Sequence, residues 1–303
     1  MPSVVKLQKM SRLQVLKTYK IYINGAFPRT ESGRYYVAKN KAGNQLANVC
    51  LCSRKDVRDA VIAARNAFGG WSSKAAFNRG QILYRIAEIL EGRKAQFIEE
   101  LMLQDSSKAN AENEVNTSID RLIYYAGWCD KYQQLMSSVN PVASSHFNFS
   151  VPEPMGVVSI IAPQQSSLLG LVSVIAPTIA GGNTCVVLAS ESKPLCAVTF
   201  AEVLNSSDVS SGVVNILTGK VSELIKNFAD HMDINAVMYA ESDGENKKVI
   251  QEKAALNVKR VLLHDNVNWN TSEAETPYFI MDTQEIKTTW HPIENIGGAK
   301  AGY

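Results

Sequence analysis

The feature that most restricts the fold is a change of rhythm at Gly156. Val157-Val158-Ser159-Ile160-Ile161-Ala162 is an almost unbroken apolar run, the kind that fills a parallel sheet buried on both faces. Similar short runs follow at 184–188, 213–217, 234–239 and 259–263. Between them lie helical segments at 167–180, 194–204, 222–229 and 245–255, and Pro194 stands in a first helical turn, where its missing N–H is not needed. Five strands alternating with four helices, joined by right-handed crossovers, predict an α/β fold: a doubly wound, Rossmann-like parallel sheet between helical layers.

The chain before Gly156 reads differently. Tyr22-Ile23-Asn24-Gly25 alternates and then reaches Asn-Gly, a hairpin turn. Short strands are expected at 35–37 and 46–50. Ser53 caps a helix carrying Val57, Ala60, Val61, Ala64 and Phe68, which Gly69-Gly70 is expected to end. Amphipathic helical segments run over 76–103 and 112–135. Beyond Leu263 the alternation stops: 265–276 is polar and loop-like, while 278–281 and 286–290 read as two short strands. The expected division is a basic arm (1–18), a dinucleotide-binding-type domain (19–264), a segment of loop and short strands (265–296) and a tail (297–303).

Composition removes several functions. A net charge of +2 in 303 residues argues against nucleic acid as a partner, which needs concentrated basic surface. Lys6, Lys9, Arg12, Lys17 and Lys20 do precede the first acidic residue, Glu31. A transit peptide is one reading of that start, but with one Arg and little Ser a basic arm fits better. No membrane partner is expected, because the longest apolar stretch, 168–180, contains Pro177 and is shorter than the ~20 residues of a span. The first twenty residues hold no apolar signal-peptide core. The odd set Cys50, Cys52, Cys129, Cys185 and Cys196 has no framework spacing, so reduced thiols in a cytoplasmic protein are expected.

Several local motifs, in order and at natural spacings, resemble the aldehyde dehydrogenase superfamily. They are Tyr22-Ile23-Asn24-Gly25, the run 57–71 ending in Trp71, Pro154-Met155-Gly156 with the strand to Pro163, 171–184, 212–219 and His231-Met232-Asp233. The resemblance covers about 19–263 and implies NAD or NADP binding and aldehyde oxidation by a thiolate nucleophile, with a Glu general base.

This sequence departs from the family pattern where the chemistry would lie. The oxyanion-binding Asn corresponds to Gln165, one methylene longer. The ribose-binding Lys-Pro-Ser-Glu corresponds to Leu188-Ala189-Ser190-Glu191, so the Lys is lost and Glu191 remains. The Gly-Ser-Thr under the pyrophosphate corresponds to Glu241-Ser242-Asp243, which puts two carboxylates where a helix N-terminus would hold phosphate. A like-charge contact near 4 Å costs about 4 kcal/mol at an effective dielectric of 20, and a quarter of that is nearly a tenfold loss in affinity. The general-base position is His264, and no cysteine follows it.

Competing readings are simpler. His264 could serve a different, hydrolytic reaction, though no nucleophile or orienting acid lies near it in sequence. Cys50 and Cys52 fall short of the four ligands of structural zinc, so no metal is expected. Residues 164–167 could merely cap a helix. The expectation is a non-catalytic protein similar to the degenerate second unit of tandem aldehyde dehydrogenases. No catalytic residue and no cofactor are then expected, and Gln165, His264, Leu188, Glu241 and Asp243 are degenerate positions. Partners would be a second copy or a full-length aldehyde dehydrogenase, met by strand addition at 278–281 and 286–290. The alternative is an NAD(P)-dependent oxidoreductase or cofactor-binding unit that uses Glu191 and Ser242 and borrows catalytic residues from another chain.

Overall fold

The computed structural model describes residues 17–293; most of the basic arm and the whole 297–303 tail lie outside them. Asn24 and Gly25 both have positive φ (52° and 73°), as a two-residue hairpin turn of the mirror-image type requires. Ile23 and Ala26 exchange both backbone hydrogen bonds across it, at 3.0 Å each. β1 (Tyr35–Lys39) and β2 (Gln45–Cys50) pair antiparallel. Ser53 and Asp56 form a reciprocal capping box that starts α1 (Arg54–Ser72).

Helix α1 runs through Gly69-Gly70 instead of ending there. Trp71 is fully buried, with its indole N–H on the Ile179 carbonyl at 3.0 Å, and that anchor outweighs the ~1 kcal/mol helix penalty of each glycine. The 76–103 segment divides at Arg93 into α2 (Ala76–Gly92) and α3 (Lys94–Leu103). The next begins earlier than expected, at a Ser107 cap, and divides into α4 (Lys108–Trp128) and α5 (Tyr132–Met136). Two strands come next, β3 (Ser138–Asn140) and β4 (His146–Pro154), which the sequence pattern does not announce.

The doubly wound core follows the expected order: β5 (Val157–Ile161), α6 (Leu169–Ala180), β6 (Thr184–Leu188), α7 (Leu195–Asn205), β7 (Val214–Leu217), α8 (Val221–Asp230), β8 (Ala236–Tyr239), α9 (Gly244–Ala255) and β9 (Arg260–Leu263). These five strands form one parallel sheet in the order β7-β6-β5-β8-β9. Helices α1, α8 and α9 pack on one face, while α6 and α7 cover the other with α2 and α4 beyond them. Every residue of α6 is buried, as its almost wholly apolar circumference demands, and its two hydroxyls, Ser173 and Thr178, donate to carbonyls one turn back. The N-terminal hairpin closes the β7 edge: Tyr22 and Ile216 exchange backbone hydrogen bonds at 2.9 and 2.8 Å.

The chain ends in α10 (Tyr278–Met281) and β10 (Gln284–Pro292). The strand expected at 278–281 is therefore a single helical turn. Pro277 (φ −66°) starts it in helical conformation, and Ile280 is buried among α6 residues. The expected strand at 286–290 is present and longer. It pairs antiparallel with β4 along its whole length, giving a separate sheet β10-β4-β3.

Candidate functional site

In an open parallel sheet, ligands bind beyond the carboxyl ends of the strands where the winding direction reverses. Here the winding reverses between β5 and β8, and a cleft of about 560 Å³ opens between their loops, α4 and the 264–270 segment. A larger groove of about 740 Å³ lies between α2 and α4, beside Phe77, Tyr84 and Ile123. It is built from helix faces and not from strand ends, so the sheet-edge cleft is the candidate site.

Four helices start at this edge, and each presents free N–H groups that would suit an anion. The chain's own side chains already occupy them. Glu114 accepts from Leu168 N (3.0 Å), Leu169 N (3.2 Å) and Ser166 Oγ (2.8 Å) at the start of α6. Gln104 Oε1 accepts from Leu195 N (3.1 Å) at the start of α7. Glu191 Oε2 accepts from Val221 N (3.2 Å) at the start of α8. Asp243 Oδ1 accepts from Glu245 N (2.8 Å) and Asn246 N (3.3 Å) at the start of α9. Beside them, Glu241 Oε1 accepts from Gln164 N.

The structure brings most of the singled-out residues to this cleft but gives them structural partners. Gln165 lines the cleft, is exposed, and has its carbonyl on Lys193 Nζ at 2.6 Å. Its neighbour Gln164 bridges two loops, accepting from Glu191 N and donating to the Ala162 carbonyl, both at 2.8 Å. Leu188 is fully buried in β6 and does not reach the cleft. Ser242 donates to Asn266 Oδ1 (3.0 Å) and accepts from Asn266 N (3.1 Å). His264 extends β9, and its ring sits edge-on to Trp269 and Phe279, with centroids 6.1 and 4.9 Å away. Burial pushes its pKa down, with Asp265 opposing, and the Asp282 carboxylate lies 3.9 Å off, beyond hydrogen-bond distance.

No thiol faces the cleft. All five cysteines are buried, and burial pushes the Cys129 pKa up to about 12 and those of Cys52, Cys185 and Cys196 well above the ordinary thiol value. Such groups stay protonated at neutral pH and are poor nucleophiles. Among the described residues no cluster of His, Cys, Asp or Glu is arranged to hold a metal.

Two residues outside the sequence-based candidates shape this region. One is Glu114, described above. The other is Arg121 on α4, which is 1% exposed. Its guanidinium donates to Ser173 Oγ, to the Trp269 carbonyl (2.9 Å) and to the Thr271 carbonyl (3.1 Å), with Glu275 at 3.8 Å. It thereby ties the polar 265–276 loop onto α4 and α6. A signal existed, because Ser118, Arg121, Leu122 and Tyr125 share one helical face and are all buried.

Comparison with known proteins agrees with this architecture. The model of the aldehyde dehydrogenase family matches residues 27–267. Cytosolic 10-formyltetrahydrofolate dehydrogenase of Xenopus tropicalis is 32% identical over 266 residues, 84% of this chain and 29% of that protein. The human mitochondrial 10-formyltetrahydrofolate dehydrogenase is 30% identical over 266 residues, with coverage of 84% and 28%. The chain thus spans under a third of the length of these relatives. Among solved structures, an NAD+ complex of aldehyde dehydrogenase from Bacillus cereus superposes with a TM-score of 0.77 at 26% identity, covering 82% of this chain and 51% of that one. Family model, relatives and fold converge, and this chain belongs to the aldehyde dehydrogenase family.

Proposed function

We propose that this chain is a non-catalytic member of its family, a structural or regulatory subunit that binds no nicotinamide cofactor in the family's usual pose and acts in the cytoplasm. One observation carries the reading: at the edge where a dinucleotide would lie, the helix N-termini are filled from within. A pyrophosphate entering at α9 must displace the Asp243 carboxylate from two N–H groups and then sit beside that displaced charge and Glu241. The residues present therefore do not fit the cofactor. The buried thiols add to this, since aldehyde oxidation in the family requires a thiolate. Its partner would be a second copy or a full-length aldehyde dehydrogenase. A panel of aldehydes with NAD+ or NADP+ tests the reading: no reduced cofactor should form with the isolated chain, and steady turnover would overturn it.

The second reading, a cofactor-binding unit completed by another chain, draws on the cleft that persists between β5 and β8 and on the NAD+ held by the Bacillus cereus relative. It requires Glu191 and Ser242 to leave Val221 and Asn266 for the ligand, and it predicts cofactor affinity that falls in a Glu191→Ala variant.

A further inference from the structure

The polar segment after β9 carries asparagine at every second position, Asn266, Asn268 and Asn270, and all three are exposed and line the sheet-edge cleft. Asn110 and Asn113, three residues apart and so on one face of α4, are exposed and line it too. Gln165, on the loop between β5 and α6, adds a sixth exposed side-chain amide. The cleft, at about 560 Å³, lies within the roughly 300–1,000 Å³ usual for small-molecule sites. The segment that bears three of the amides is fixed from behind. Arg121 holds the Trp269 and Thr271 carbonyls at 2.9 and 3.1 Å. Asn266 is tied to Ser242 by two hydrogen bonds, at 3.0 and 3.1 Å, and Asn268 Oδ1 accepts from Asn270 N at 3.1 Å. A ligand therefore has little ordering of this wall to bring about.

We propose that this cleft binds a neutral sugar through neighbouring hydroxyl groups, held by the amides of the 266–270 segment, of Gln165 and of the α4 pair. Each side-chain amide offers both donors and an acceptor, and each hydroxyl is likewise both. Such a lining is satisfied only by a ligand of the same mixed capacity. A phosphate or carboxylate only accepts and an ammonium only donates, so either would leave part of each amide unpaired as water is displaced. Charge points the same way. Among the described residues, the ionised side chains lining the cleft are Glu114, Glu241 and Lys193. His264 beside them is neutral at neutral pH, because burial pushes its pKa down. Two carboxylates against one ammonium repel an anion, a sugar phosphate included. Pro163, Val267 and Trp269 add apolar wall, against which the C–H faces of a pyranose ring can lie. The inference rests on the reading that carboxylates bar a dinucleotide from this edge, and it gives the subunit a ligand of its own.

Saturation-transfer NMR on the full chain tests it, with D-glucose, D-galactose, D-mannose and N-acetyl-D-glucosamine as probes at millimolar concentration. Tetrahydropyran, the same ring without hydroxyls, is the control. At least one sugar should receive saturation and tetrahydropyran should not, and the 6-phosphate of the binding sugar should bind more weakly than the sugar itself. Asn113→Leu and Asn270→Leu should each weaken binding about tenfold, as the loss of an amide that makes two hydrogen bonds does. Both positions are exposed, so circular dichroism should not change. No transfer to any of the four sugars up to tens of millimolar overturns the proposal and leaves the non-cofactor reading standing. Transfer that both variants leave unchanged also overturns it, because the sugar then sits elsewhere. A phosphate ester that binds more tightly than its sugar overturns the neutral class. NAD+ that displaces a bound sugar at micromolar concentration removes the non-cofactor reading alone and supports the place of the sugar in the cleft.

Discussion

Replacing Arg121 by methionine removes the tie between α4 and the 265–276 loop while keeping the aliphatic stem that packs in the core. The guanidinium makes three hydrogen bonds, to Ser173, Trp269 and Thr271. Bonds involving a charged group contribute about 1.5–3 kcal/mol each, so their gross sum is roughly 4–9 kcal/mol. Much of this offsets burying the cation, whose Nε has no hydrogen-bond partner and whose pKa burial pushes down. A net loss of about 3–5 kcal/mol remains, typical of breaking one side of a buried charged network. Urea denaturation followed by circular dichroism measures it. Limited proteolysis locates it, because new cuts should fall within 265–276 before global unfolding. A loss below about 1 kcal/mol with no new cuts would refute the clamp and show that loop packing through Trp269 and Ala274 suffices.

Val258 ends α9 in the left-handed region (φ 53°) and is 95% exposed, a conformation strained for a β-branched residue. Val258→Gly should therefore raise stability by about 0.5–1 kcal/mol in thermal melts; a lowered melting temperature would show that the valine side chain has a packing role. Glu100 is buried on α3, with Tyr19 OH at 3.1 Å, Thr199 Oγ1 at 2.7 Å and one carboxylate oxygen unpartnered. Burial raises its pKa, so the folded state holds the proton more tightly than the unfolded chain. Its favourable contribution is present below the ordinary carboxyl value and is lost as pH rises through the folded one. Relative to Glu100→Gln, the wild type should lose urea stability as pH rises from about 4.5 toward neutrality; a pH-independent difference would refute the shift.

The doubly wound core is legible in the sequence because four of its strands are largely apolar runs, as burial on both sheet faces requires, the half-buried edge strand β9 keeps an apolar end, and a helix-length segment separates each from the next. Tyr278-Phe279-Ile280-Met281 misleads because a four-residue apolar run has no period to tell strand from helix, and the burial of Ile280 under α6 is a long-range fact. Strand β4 is hidden although Phe147, Phe149 and Val151 alternate with polar residues, because Pro152 and Pro154 argue against a central strand. Both lie in the last three residues of β4, past the stretch that β3 pairs with, so only the β10 side has a neighbour there. At the candidate site, Glu241, Asp243, Glu191 and His264, all singled out in the sequence, lie at the carboxyl edge of the sheet. The capping by Asp243 is readable, since an Asp before a helix commonly takes its first N–H groups. The matching role of Glu114 is not, because the helix it caps begins more than fifty residues later.

The most direct test of the central claim is a calorimetric titration of the purified chain with NAD+ and with NADP+, at low and moderate salt. If the chain's own carboxylates hold the helix N-termini, neither cofactor should give heat up to millimolar concentration. Micromolar binding, weakened by Glu191→Ala, would contradict the account and mean that Asp243 and Glu191 give way to a dinucleotide.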